Sequence, residues 1–224
     1  MAWISIPGIK RIFFTVVCTY LILSLCCSGS FLLFILKPAI VGTLIWWVIG
    51  VKPPEQRLVF ALSFSLLGDT LLMFAADQFS LFLGGLVAFL ITHLIYIAIF
   101  LRNVRFSDFM TAVWIPSLIL LIAFAGLMLS ILLPVLGELA LPVILYMIVI
   151  ISMAFFAINR IKQVSRRSYI FVVIGALLFV ASDSILALNK FHSEINHSGF
   201  YVMLTYSFAQ FCLVTGLTEP QDGS

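Results

Sequence analysis

The sequence predicts an all-α integral membrane protein, a bundle of about eight transmembrane helices that forms a single domain over residues 1–224. Two observations lead to this fold class. Hydrophobic residues make up 63% of the chain and charged residues only 9%, whereas soluble globular domains carry roughly 25% charged residues. The apolar residues are also grouped in stretches of ~20, the length that crosses the hydrocarbon core of a bilayer.

Eight such stretches follow one another with short connections, at 10–28, 30–50, 57–76, 79–101, 109–131, 134–158, 168–189 and 199–217. The first comes after Lys10 and Arg11, and this beginning resembles a signal peptide. Its end, LSLCC, lacks the small residue expected before a lipid-modified Cys, so we expect a retained membrane helix. Pro38 is expected inside the second helix, and Pro134 and Pro142 near the start of the sixth.

Lys and Arg outside the apolar stretches are distributed very unevenly between the two sides of the membrane. Because cytoplasmic loops carry an excess of these residues, both termini are expected to be cytoplasmic, and in a bacterium the membrane would be the inner one. Lys190 alone falls on the other side. The cytoplasmic side receives Lys10, Arg11, Lys52, Arg57, Arg102, Arg105, Arg160, Lys162, Arg166 and Arg167.

The third and seventh helices share a local pattern around Asp69 and Asp183. In each, a small residue precedes the Asp, and Thr or Ser follows it. The pair Lys37-Pro38 in the second helix likewise parallels Leu141-Pro142 in the sixth. Four spans restore the orientation of a chain in the membrane, so this pattern is compatible with a four-plus-four parallel repeat.

Several functional classes are not expected from this composition. Basic residues are few and scattered, so a nucleic acid partner is not expected. The four cysteines, Cys18, Cys26, Cys27 and Cys212, lie in apolar segments without metal-ligand spacing. Neither a P-loop, a zincin signature nor a dinucleotide fingerprint is present. We therefore expect neither a metal nor a cofactor, while the oligomeric state is left open.

Three ionisable residues, Lys37, Asp69 and Asp183, lie inside predicted helices, where a charge is costly unless it is compensated. The helical rise of 1.5 Å per residue places each roughly 10 Å from the non-cytoplasmic end of its helix. Because they lie at one level, they are expected to face a common cavity. One interpretation is a buried ion pair that locks the bundle. The second Asp favours a functional site, with one carboxylate ionised beside the Lys and the other protonated.

Other polar residues are candidates for binding substrate or supporting this site: Tyr206 and Gln210 in the eighth helix, Tyr146 in the sixth, Ser182 beside Asp183, and His93 in the fourth. Each also has a structural explanation. Tyr146 and His93 are typical of satisfied core side chains, and His93 lies roughly 20 Å deep, below the acids. No His lies near enough to Ser182 to make it a serine nucleophile. Glu138, expected one turn inside the sixth helix, is interpreted as a solvated interfacial acid.

Six sequence blocks together resemble the lysoplasmalogenase (YhhN-like) family of multi-pass membrane proteins. They come in the order of the family and touch the second to the eighth predicted helix. The blocks are LKP at 36–38, FSLLGDTLLM at 64–73, GGLVAFLITHLIYIAIF at 84–100, LPVILYMIVIISMA at 141–154, GALLFVASDSILALNKF at 175–191 and YSFAQ at 206–210.

The resemblance implies hydrolysis of the vinyl ether bond of a lysoplasmalogen, a membrane lysophospholipid, to a fatty aldehyde and a glycerophospho-base. It also implies that Asp69 and Asp183 are catalytic, because they match the two motif acids of the family. The residue types suit this chemistry, in which a vinyl ether is protonated at carbon and the resulting oxocarbenium ion is trapped by water. Lys37 would keep one carboxylate charged, and the sequence leaves open which acid has which role.

Two other functional classes stay open. A proton- or ion-coupled transporter also uses intramembrane acids with a Lys. It needs polar residues that continue to the cytoplasmic side, where the third and seventh helices offer little beyond Ser63 and Ser65. A structural or assembly protein is the third class, and it predicts that Asp69→Asn leaves folding and phenotype nearly unchanged.

Overall fold

The computed structural model describes residues 6–27, 29–51, 53–75, 78–104, 113–161 and 163–219. Over these ranges the chain is helical and contains no strand, which confirms the all-α class. The helices are α1 (Ile6–Cys26), α2 (Leu32–Gly50), α3 (Gln56–Met73), α4 (Phe79–Leu101), α5 (Trp114–Leu136), α6 (Ala140–Ile158), α7 (Arg166–Ala187) and α8 (Ser198–Leu217).

Seven continuous helical segments in these ranges are long and apolar enough to cross a membrane. One of them, Trp114–Ile158, contains both α5 and α6, which a 3₁₀ turn joins at Gly137–Leu139. Gly137 takes a positive φ of 52° there, and α5 packs against α6, so the chain reverses direction at this turn. The protein is an integral multi-pass membrane protein. The count of eight spans, the cytoplasmic termini and the internal repeat stay predictions.

The boundary between the fifth and sixth helices was predicted wrongly. The fifth was expected at 109–131 and the sixth from residue 134, but α5 runs to Leu136 and α6 begins at Ala140. Pro134 therefore lies inside α5, and Glu138 lies in the exposed 3₁₀ turn rather than within α6. Hydropathy could not locate this boundary, because the residues on both sides of it are uniformly apolar.

Some sequence-based expectations fall on residues that the structure does not describe. These are residue 28 at the predicted end of the first helix, residue 76 at the predicted end of the third, the predicted beginning of the fifth at 109–112, and three cations used for orientation, Lys52, Arg105 and Lys162.

The chain divides into two compact units, residues 1–95 and 96–224, with the division inside α4. The single transmembrane domain therefore stays a prediction, and each unit is described by itself. In the first unit α1 packs on α2 and α2 packs on α3. Helix α4 lies very close to α3: a Cβ on Gly68 would come within 2.7 Å of the Phe89 ring. Small residues allow such close helix packing in membranes.

In the second unit α6 packs against both α5 and α7, and α7 forms an extensive contact with α8. A Cβ on Gly175 of α7 would lie 2.9 Å from the carbonyl oxygen of Ala209 in α8. Further along, the Ser168 hydroxyl donates a hydrogen bond of 2.7 Å to the carbonyl oxygen of Gly216. The α7–α8 pair is thus held at backbone distance, which makes these two helices a rigid support for the side chains they carry.

Candidate active site

Asp69 lies on the buried face of α3. Buried residues recur every three or four positions along this helix, at 58, 61, 62, 65, 68 and 69, the spacing that puts side chains on one helical face. Asp69 itself is 4% exposed. The helix continues for only four residues beyond it, to Met73, so Asp69 lies about 6 Å from the helix end.

Lys37 of α2 is the cation beside Asp69. Its Nζ lies 3.9 Å from Asp69 Oδ1, and the two side chains are 18% and 5% exposed. Pro38 follows Lys37 within the helix and, having no backbone N–H, leaves the carbonyl of Phe34 without its usual helical donor. The predicted pairing of a Lys with an intramembrane Asp is present in the first unit. At this distance the interaction is that of two charges, longer than a charge-assisted hydrogen bond.

Tyr20 of α1 also belongs to the surroundings of Asp69, and sequence reasoning missed it. It is buried, and it interacts electrostatically with the Asp69 carboxylate. The only signal in the sequence was a tyrosine within a mainly apolar helix. This signal is weak, because the aromatic ring of a tyrosine is as common in an apolar helix as in a functional site. Asp69 therefore has both a cation and a phenol nearby, each from a different helix.

Asp183 lies four residues before the end of α7, about 6 Å from it. A short π-helical turn, Leu188–His192, follows the helix directly. Such turns are frequent at functional sites. Asp183 is half-buried, and its Oδ2 accepts a short hydrogen bond from the hydroxyl of Tyr146 in α6. Tyr146, which the sequence offered both as a candidate supporting residue and as an ordinary core tyrosine, is thus the hydrogen-bond partner of a motif acid.

Tyr206 and Gln210 of α8 belong to a buried hydrogen-bonded chain in the second unit. Tyr96 donates to Gln210 Oε1 at 2.6 Å, and Gln210 Nε2 donates to the Tyr206 hydroxyl at 3.3 Å. The Tyr206 ring packs edge-on against Phe179, with centroids 5.4 Å apart. Tyr206 also interacts electrostatically with Tyr146. Tyr206 therefore lies near Tyr146, and Gln210 is joined to Tyr206 by a hydrogen bond.

The hydroxyl groups of Ser182 and Ser184, which flank Asp183, both donate hydrogen bonds to backbone carbonyl oxygens. Ser182 donates to the carbonyl of Val202 in α8 at 3.2 Å, and Ser184 donates to Val180 of its own helix at 2.7 Å. Ser182 thereby connects α7 to α8 next to Asp183. The supporting role of Ser182 stays a prediction.

His93 of α4 is fully buried. The preceding residue, Thr92, accepts a hydrogen bond of 3.3 Å from Ser65 and donates one of 3.2 Å to the carbonyl of Ala61. These contacts place this part of α4 at the level of Ser65, one helical turn deeper than Asp69. The structure therefore agrees with the expectation that His93 lies below the acid.

The distances of Lys37 and Asp69 from their helix ends were overestimated from the sequence. Each was expected roughly 10 Å from its helix end. The observed ends put Lys37 five residues, or about 7.5 Å, from the beginning of α2, and Asp69 four residues, or about 6 Å, from the end of α3. The reason is that Phe31 and the residues at 74–76 are apolar, so hydropathy assigned them to the helices. Asp183 lies four residues from the end of α7, but the helical span continues through the π turn to His192.

The two acids have chemically different surroundings. Asp69 has an ammonium group at 3.9 Å, whereas Asp183 is hydrogen-bonded to a phenol. A nearby cation favours an ionised carboxylate, while a phenol can donate to either form of the acid. Among the described residues, His, Cys, Asp and Glu form no cluster of three or more that could hold a metal ion. Each of the two carboxyl groups has a polar partner from a neighbouring helix.

Comparison with known proteins shows the family of this chain. The profile of the YhhN family matches residues 32–217. Lysoplasmalogenase TMEM86A of Bos taurus is 28% identical over 174 residues, which cover 76% of this chain and 68% of that protein. The Homo sapiens TMEM86A gives the same values, and Homo sapiens lysoplasmalogenase TMEM86B is 32% identical over 168 residues, 74% of this chain and 65% of its own. No solved structure matches.

The matched range contains both motif acids together with Lys37, Tyr146 and Tyr206. Since it covers most of the chain, the resemblance predicted from the six sequence blocks is confirmed, and the protein belongs to the YhhN family.

Proposed function

We propose that this protein is a lysoplasmalogenase, a membrane-embedded hydrolase that cleaves the vinyl ether bond of lysoplasmalogens. Its products are a fatty aldehyde and glycerophosphocholine or glycerophosphoethanolamine. The family membership and the relatives named as lysoplasmalogenases support the reaction class. The structural observation that carries the proposal is that both motif acids lie inside membrane helices, each with its own polar partner.

The chemistry of the reaction requires an acid, an anion and a water molecule. A carboxylic acid protonates the vinyl carbon that is not bonded to oxygen, and the positive charge is shared between the other vinyl carbon and the ether oxygen. Water adds to that carbon and loses a proton, which restores the acid, and the hemiacetal then separates into aldehyde and alcohol. Glycosidases use two carboxyl groups for a closely related cation.

In this proposal Asp69 is the ionised carboxylate and Asp183 is the general acid. The support is the difference in their partners. Lys37 compensates a negative charge on Asp69. Asp183 accepts from Tyr146 through Oδ2, a bond that is compatible with a transferable proton on Oδ1. Tyr146 fixes the orientation of the acid. The hydrogen-bonded chain of Tyr96 in α4 with Gln210 and Tyr206 in α8 supports Tyr146.

The depth of the acids suits this substrate. Each lies about 6 Å from the end of its helix, and the vinyl ether of a lysolipid lies just below its headgroup, at the edge of the hydrocarbon. The headgroup would then lie toward the membrane surface and the alkenyl chain among apolar side chains. The transporter alternative is not favoured, because the named relatives are hydrolases.

Aldehyde release by the purified protein in detergent tests the proposal. Wild type should release aldehyde from a lysoplasmalogen and none from the matching lysolipid with a saturated ether. Asp69→Asn and Asp183→Asn should be folded, as judged by size-exclusion chromatography and helical circular dichroism, yet nearly inactive. If well-folded wild type released no aldehyde, the proposal would be wrong. Activity retained in either folded variant would remove that acid from the mechanism.

A further inference from the structure

Arg160 is a buried cation that the proposed reaction does not use. It lies two residues beyond the end of α6, in the connection to α7, and is only 1% exposed. Within the described part of the chain its Nε and Nη1 atoms are buried and have no hydrogen-bond partner. The guanidinium lies over the ring of Phe100, 5.4 Å from its centroid, in a cation–π contact.

Such a group is costly to a fold. Burial lowers the pKa of Arg160 to about 10, so it remains charged at neutral pH. A buried charge without a hydrogen-bonded counter-charge is strongly unfavourable. The contact with the Phe100 ring offsets part of this cost, but it leaves the Nε and Nη1 donors unsatisfied. Among the residues that the structure describes, no carboxylate forms an ion pair with Arg160.

The sequence around Arg160 favours an anion from outside the chain. The connection and the first turn of α7 contain Arg160, Lys162, Arg166 and Arg167, and no acidic residue occurs between Asn159 and Ser182. The exposed Arg167 has its own partner, since its Nη1 lies 3.3 Å from Glu219 Oε1. Basic clusters beside membrane helices bind anionic lipid headgroups, and the guanidinium fork matches the oxygens of a phosphate group.

We propose that Arg160 forms a phosphate-binding site at the α6–α7 connection, which takes the headgroup phosphate of an anionic phospholipid or free inorganic phosphate. This site is separate from the proposed reaction. Arg160 lies fourteen positions after Tyr146, which corresponds to about 21 Å along a helix. Only the glycerol carbons separate the vinyl ether from the phosphate of a lysoplasmalogen, so one substrate molecule cannot reach both positions.

The test compares the wild type with Arg160→Gln, Arg160→Lys and the matched control Arg167→Gln in a nonionic detergent. The melting temperature is followed by tryptophan fluorescence while phosphatidylglycerol, phosphatidylcholine or inorganic phosphate is added. Phosphatidylglycerol should stabilise wild type and Arg167→Gln at similar concentrations. Arg160→Gln should need a phosphatidylglycerol concentration at least tenfold higher for the same stabilisation. Arg160→Lys should need an intermediate concentration, because Lys supplies the charge without the planar fork of donors.

The three additives distinguish the source of the phosphate. A response to phosphatidylglycerol alone identifies a lipid headgroup, and a response to inorganic phosphate at similar concentrations identifies the phosphate group itself. An equal response in wild type and Arg160→Gln would overturn the proposal, as would an equal loss in Arg167→Gln. Arg160→Lys keeps the test valid if Arg160→Gln does not fold.

A rival partner is Asp108, which the sequence places in the connection after α4. If the counter-charge were this residue, Asp108→Asn would lower the melting temperature as much as Arg160→Gln, and the double variant would add nothing further. That result would also overturn the proposal.

Discussion

Replacing Lys37 with Met removes the cation that lies 3.9 Å from Asp69. At that distance two unit charges interact by about 4 kcal/mol in a medium with an effective dielectric constant near 20. Because Lys37 is 18% exposed and makes no direct hydrogen bond at this distance, water screens part of the attraction. We therefore expect a coupling free energy of about 2 kcal/mol between Lys37 and Asp69.

The assay is a double-mutant cycle with Lys37→Met, Asp69→Asn and the double variant. Unfolding free energies are measured by titration with SDS in mixed micelles. Each single change should destabilise the protein, Lys37→Met by about 3 kcal/mol, because it removes the cation that compensates the buried Asp69 carboxylate. The double variant should lose less than the sum of the two single losses.

The chain offers a matched control for this cycle in the Arg167–Glu219 pair. Its charged atoms are closer, at 3.3 Å, but Arg167 is 63% exposed. Exposed ion pairs contribute little, so the coupling of this pair should be below about 0.5 kcal/mol. If the Lys37–Asp69 coupling were no larger than that of the exposed pair, burial would not determine its strength and the reasoning would be refuted.

Two further predictions concern the second unit. Tyr146→Phe should fold normally but lower kcat for aldehyde release about tenfold, because a positioning hydrogen bond to Asp183 is lost. The control is Tyr201→Phe, at an exposed position of α8. An unchanged kcat in Tyr146→Phe would contradict the assigned role. Gly175→Ala should destabilise the protein by about 1–3 kcal/mol in the SDS titration, because the new Cβ would meet the α8 backbone at 2.9 Å. Gly126→Ala in α5 meets no atom within 4 Å and should be neutral or stabilising; equal effects of the two changes would argue against the close packing.

The two acids could be recognised from the sequence because each interrupts an apolar helix. A charge in such a helix requires compensation wherever the helix lies, so Asp69 and Asp183 were identified without knowledge of any contact. Lys37 was identified in the same way. Their local motifs also carried the resemblance to the family that the comparison confirmed.

The phenol partners of the acids were harder to predict: Tyr146 was a candidate with an equally ordinary structural explanation, and Tyr20 was missed. Tyr20 and Tyr146 are phenols in apolar helices, where most tyrosines are ordinary core residues. A carboxylate on another helix distinguishes them: Tyr20 interacts electrostatically with Asp69 of α3, and Tyr146 donates a hydrogen bond to Asp183 of α7. The burial of Arg160 was not predicted either. The sequence places it among the cations of the loops, whereas in the structure it is buried.

Hydropathy and charge thus determine that this chain crosses the membrane as helices and that Lys37 and two acids lie within it. These properties depend on how each segment partitions between water and lipid, which is a local free energy. Tertiary structure decides which side chains meet: Lys37 with Asp69, Tyr146 with Asp183, and Gly175 against the backbone of α8. It also decides that α5 continues past Pro134 to Leu136. Such contacts depend on packing between helices far apart in the chain, and uniformly apolar segments do not encode their partners in composition.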